Sequence, residues 1–89
     1  MKSPKTQTAE VLYELLTNKS ITRASIMTDT GILNLTARIA DLRLRAHISI
    51  DCAYVNVLNK HGRKVRYGKW SINPSDIDYA KEAYLKINK

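Results

Sequence analysis

Eighty-nine residues suit one domain and leave no room for two. With 44% hydrophobic and 26% charged residues, the mixture is that of a folded chain rather than a disordered one. Fifteen Lys and Arg against eight Asp and Glu give a net charge of +7. That balance favours polyanionic partners, nucleic acid foremost and anionic membrane second.

A single cysteine, Cys52, excludes an internal disulfide, and with only His47 and His61 beside it no all-protein structural zinc site is expected. No apolar run approaches the roughly 20 residues of a membrane span. The start, Met1-Lys2-Ser3-Pro4-Lys5, has charge but no apolar stretch behind it, so it does not read as a signal peptide. A reducing cytosol is the expected compartment. Phe is absent, so Ile, Leu and Val must fill the core, with Trp70 and five Tyr adding aromatic volume.

Residues 1–5 read as a loose N-terminal tail. Thr6 suits a helix cap, and a helix is predicted from Gln7 to about Asn18, with Ala9, Leu12, Leu15 and Leu16 in one stripe. A second, short helix is expected after Thr22. There Ile21 and Ile26 hold the positions of a hydrophobic staple, and Gly31 suits the left-handed residue that ends a helix. Asn34 caps a third helix ending near Leu44 or Arg45, with Leu35, Ile39 and Leu42 on one buried face.

From His47 the period changes to two. Ile48, Ile50 and Cys52 alternate with Ser49, Asp51 and Ala53, so Cys52 is expected to face the core as a small buried hydrophobe. The apolar parity shifts near Ala53, which suggests a bulge or a separate strand for residues 54–58. Residues 59–63 read as a hairpin loop with Gly62 at positive φ, and residues 64–72 as the returning strand. Asn73-Pro74-Ser75-Asp76 then starts a last helix, Asp76 complementing its dipole, with Ile77, Ala80, Tyr84 and Ile87 in one stripe. The predicted class is α+β, in the order α-α-α-β-β-α.

That order is the order of a winged helix-turn-helix. The third helix buries one stripe and presents Thr36, Ala37 and Arg38 outward, small and polar groups suited to a major groove. Arg38 suits a bidentate contact to guanine, and Asn34 or Thr36 a base edge or a phosphate. A solvated or intramolecularly paired Arg38 is the competing reading. Over residues 60–69, five of ten side chains are Lys or Arg and none is acidic. Lys60, His61, Arg63, Lys64 and Arg66 are the candidate phosphate or minor-groove contacts of this wing, a solubilising hairpin being the alternative. Tyr67 and Trp70 could stack on unpaired bases, but core packing is the stronger expectation for Trp70.

Thr6-Gln7, Gly31-Ile32 and the run Thr36-Ala37-Arg38-Ile39-Ala40-Asp41-Leu42-Arg43, followed by an Ile-rich strand and a basic hairpin ending Trp70-Ser71-Ile72, resemble a family of small winged-helix domains common in tailed phages and prophages. The resemblance covers roughly residues 5–72 of the chain. It implies a DNA-binding protein, with a DNA-facing role for Arg38 and Arg43, and leaves Asp41 free to brace Arg38 or Arg45 across a helical turn. Two departures stand out. Family members often carry Gly just after the recognition helix, where this chain has Ala46, and the helix within residues 73–89 lies outside the resemblance. That helix either packs on the 6–72 domain or pairs with a second copy.

The expected function is sequence-specific binding of double-stranded DNA in a bacterial cytosol, as a phage or prophage regulator of transcription or an excisionase-like factor. A homodimer is one expected partner. A host or phage protein is the alternative, with the basic face binding an acidic surface. No cofactor, no metal, no membrane and no enzymatic chemistry are expected, since no phosphate loop or paired nucleophile and base is recognisable.

Overall fold

The computed structural model describes residues 3–88. Helix α1 spans Gln7–Thr17, α2 Arg23–Thr30 and α3 Leu35–Leu44; strand β1 spans Ile50–Leu58 and β2 Lys64–Ile72. A 3-10 turn at Pro74–Asp76 leads into α4, Ile77–Ile87. The helix starts follow from short polar side chains that accept an otherwise orphaned backbone N–H. Thr6 Oγ1 accepts from Ala9 N, and Thr22 and Ser25 bond reciprocally as a capping box. Gly31 ends α2 with φ of 75°, and Gly62 turns the hairpin with φ of 79°.

The core lies among the helices. Ala9, Val11, Leu12 and Leu15 of α1 meet Leu35, Ile39 and Leu42 of α3, and Ile26 of α2 with Ile21, Ile32 and Ile48 of the connecting segments close the gaps. Helix α4 packs on α1 through Ala80, Ala83 and Tyr84, the Tyr84 ring lying 6.0 Å from that of Tyr13. Burial raises the Tyr84 phenol above its ordinary pKa, with Tyr13 adding to the effect. The expected stripe of this helix is therefore corrected in part. Ile77, the first residue of α4, is 38% exposed on one flank of the helix's inner face, and Ala83 on the other flank is buried. Asp76 stands at the start of α4 as expected, and its carboxylate also accepts from the Ser49 backbone N–H at 2.8 Å.

Strands β1 and β2 form one antiparallel ribbon in unbroken register from Ile50↔Ile72 to Leu58↔Lys64. The bulge or strand break expected near Ala53 is absent. The cause is that the ribbon leaves the helical body there. Ile50 and Ile72 are buried, but Cys52, Tyr54, Val57 and Leu58 are exposed, so apolar parity beyond the body no longer reports a buried side. Cys52 is an exposed thiol and not a core residue.

The ribbon is tied to the body at its base. Ile21 and Trp70 exchange two backbone hydrogen bonds, 2.8 and 2.9 Å, and Trp70 packs partly buried against the core. On the other strand, Asn73 N donates to Ser49 O. Tyr79 Oη donates to Ala46 O at 2.7 Å, so α4 and the 3-10 turn before it each reach the joint between α3 and β1. Asn88 accepts from Lys5 N and donates to Ser3 O, joining the two ends of the described chain.

Ala46, just after α3, does not take a positive φ. The left-handed residue falls one place later, on His47, with φ of 58°. His47→Val should cost about 1–2 kcal/mol in urea denaturation, because a β-branched residue resists this conformation, whereas His47→Gly should not lower stability. Tyr84→Ala should cost about 3–5 kcal/mol, the range for emptying a large buried aromatic site.

Candidate nucleic-acid interface

Asn34 fixes the start of α3 by accepting from Ala37 N at 3.4 Å. Asn34 and Thr36 are exposed, and Ala37 and Arg38 are half-buried beside them, while Leu35, Ile39 and Leu42 face inward. The expected division of this helix into a buried stripe and a small, polar outer face is therefore present. Arg38 Nε lies 3.3 Å from Asp41 Oδ2, an ion pair one turn apart. The pair is close without hydrogen-bond alignment, so Nε is buried with no hydrogen-bond partner. Asp41 also accepts from Thr8 Oγ1 of α1 at 3.3 Å. The carboxylate thus holds one edge of the guanidinium and links it to α1.

Arg43 behaves differently from what the resemblance implies. Its Nε and Nη2 donate to the Ile50 carbonyl at 3.2 and 2.7 Å. A helix residue eight places past Leu35 points toward the first residue of β1, and the guanidinium fork satisfies that carbonyl with two bonds. Arg43 joins α3 to the ribbon rather than standing free.

The wing cations are exposed. Lys60, His61 and Arg63 stand on the turn, where Asn59 Oδ1 accepts from the backbone of His61 and Arg63, and Lys64 follows on β2. Arg66 lies over the Tyr54 ring, 4.1 Å from its centroid, a cation–π contact that steadies the guanidinium. Among the described residues the Arg38–Asp41 pair is the one ion pair, so no carboxylate neutralises a wing cation.

Arg23 was not legible as a site residue. It opens α2, and its Nη2 donates to Thr36 Oγ1 at 2.7 Å. It also lines a cleft with Thr22, Tyr54, Arg66 and Trp70, between the helices and the ribbon. This cleft contains two arginines and no acid. Nothing in local spacing marks Arg23, since its importance comes from the ribbon standing across from α2. His61 and the tip cations do not reach this cleft.

Among the described residues, no group of three His, Cys, Asp or Glu could hold a metal ion. Among the described residues, no helix is long and apolar enough to cross a membrane.

Three helices, a basic antiparallel hairpin and an exposed small-residue face on the third helix define a winged helix-turn-helix. Residues 6–75 match the winged helix-turn-helix domain family, and the chain belongs to it. No curated protein and no solved structure matches the chain significantly. Membership of this family points to DNA binding.

Arg43→Ala should lower stability by about 1–3 kcal/mol in thermal or urea melts, because it leaves a backbone carbonyl without its charged donor. Arg66→Ala should leave the melt within about 0.5 kcal/mol, as for an exposed surface change.

Proposed function

We propose that this protein binds double-stranded DNA in a sequence-specific manner. Helix α3 enters the major groove, with Asn34, Thr36, Ala37 and Arg38 at the bases or flanking phosphates. The wing lies along phosphate or the minor groove through Lys60, His61, Arg63, Lys64 and Arg66. Arg23 adds a cation between the two elements. The observation that carries this reading is the set of wing cations with no carboxylate partner among the described residues, on the same body as an α3 face whose Arg38 has one edge fixed by Asp41. Cations that nothing neutralises internally are available to displace the counterions of a duplex.

The resemblance of the Ala37–Arg43 run to phage and prophage winged-helix domains supports a regulator acting in bacterial cytosol. Repression of transcription and an excisionase-like role in recombination both use the same face. Binding, not catalysis, is the proposed activity.

The test is duplex binding across a salt series, for the native chain and two variants. Affinity should fall steeply as salt rises, with a slope of about −0.9 per phosphate neutralised. Arg66→Ala should weaken all duplexes alike and reduce the slope by about 1, whereas Arg38→Ala should cost about 1–3 kcal/mol on a preferred sequence only. Absence of duplex binding, with tight capture of an acidic protein in its place, would overturn the proposal in favour of an interaction module.

A further inference from the structure

The ribbon has two outer edges, and they are built differently. On β2, Trp70 exchanges its outward N–H and C=O with Ile21, so its outward groups, and those of alternate residues from it, face away from β1. By the strict alternation of an antiparallel ladder, the partners of those residues on β1 also point outward. These are Ile50, Cys52, Tyr54, Asn56 and Leu58.

The outward Ile50 carbonyl is already taken by Arg43. The outward N–H and C=O groups of Cys52, Tyr54, Asn56 and Leu58 make no hydrogen bond among the described residues. At the far end, Asn59 begins the turn that carries the chain away toward β2. The free edge is therefore bounded at both ends.

Edges of this kind are normally blunted by Lys, Pro or a bulge. Over 52–58 the sequence is Cys-Ala-Tyr-Val-Asn-Val-Leu, with no charge, no Pro and no bulge. The cations lie on β2 and the turn, as Lys60, Arg63, Lys64, Arg66 and Lys69. Tyr54 and Leu58 are 62% and 66% exposed on this same edge.

We infer that the β1 edge, residues 52–58, is a homodimer interface, on which β1 of a second copy adds in antiparallel fashion to make a four-stranded sheet in the order β2-β1-β1-β2. A second copy is favoured over a foreign strand because the edge is self-complementary. One register pairs all four free residues at once, Cys52 with the partner's Leu58 and Tyr54 with the partner's Asn56, and the reverse. In that register the two-fold axis passes between Val55 and the partner's Val55, and Ala53 faces the partner's Val57. Shifting by two residues in either direction leaves a free residue opposite the Arg43-capped position or the turn. Self-pairing through β1 also places Lys64, Arg66 and Lys69 of both copies on the outer strands, where they do not oppose one another.

Cross-linking and sedimentation test this together. Val55 and its copy form a non-hydrogen-bonded pair, whose Cα separation of about 4.5 Å suits a disulfide. In a Cys52→Ser background, Val55→Cys treated with oxidised glutathione should give a covalent dimer. Two thiols are oxidised to one disulfide, while one oxidised glutathione is reduced to two thiols. Val57→Cys in the same background should give little covalent dimer, because it faces Ala53 of the copy. Asn56→Pro removes only an outward N–H and leaves the β1–β2 ladder intact. It should keep the native far-UV spectrum and weaken dimerisation in sedimentation equilibrium by about tenfold or more, since the symmetry deletes two hydrogen bonds at once. A native chain that sediments as a monomer up to about millimolar concentration, where even a weak dimer would form, would overturn the inference. So would a dimer unchanged by Asn56→Pro, or equal cross-linking of the Val55→Cys and Val57→Cys variants.

Discussion

Two backbone hydrogen bonds between Ile21 and Trp70 decide where the hairpin stands. A two-stranded ribbon has little stability alone and no preferred direction from a body it merely touches. Here the residue before the α2 cap is also a one-residue strand partner of β2, so the start of α2 and the base of the wing share one ladder. Trp70 fills the space behind this bridge. The opposite strand is held by Arg43 on the Ile50 carbonyl and by Asp76 on the Ser49 N–H. The wing and the third helix are thus parts of one frame, which is what a protein needs if it is to engage a groove and the backbone beside it at the same time.

Helix α4 lies beyond the matched residues 6–75, yet it serves that frame. Its Tyr79 bonds the Ala46 carbonyl just after α3, and its packing on α1 buries Tyr84. Between those anchors, His47 adopts a left-handed conformation that a glycine would take more easily. The joint from α3 to β1 is shaped by contacts from α4 rather than by local backbone preference. The cations divide in the same spirit. Arg43 satisfies a carbonyl and Arg38 is held by Asp41, while the wing cations have no acidic partner among the described residues.

Much of this was legible in the sequence where the signal is local. Thr6, Thr22 and Asn34 cap helices through their own side chains, and Gly31 and Gly62 take positive φ, so the elements and their ends follow from short-range chemistry. What failed was tertiary. Cys52 sits on the same side of β1 as buried Ile50, but the helical body ends between them, and no periodicity records where a body ends. Ile77 and Ala83 lie on opposite flanks of one face of α4, and only Ala83 is buried, because spacing along a helix does not record on which flank the neighbouring body lies. Arg23 and Arg43 resemble any exposed arginine until Thr36 and Ile50 are placed next to them.

The central claim is that α3 reads bases while the wing supplies sequence-independent grip. Selection from a pool of random duplexes at about physiological salt, run in parallel with the native chain and Arg38→Ala, tests it most directly. The account predicts an enriched motif for the native chain and, for the variant, retention of DNA with one position of that motif relaxed. Retention by both without any motif would contradict it, leaving a protein that holds DNA by charge alone.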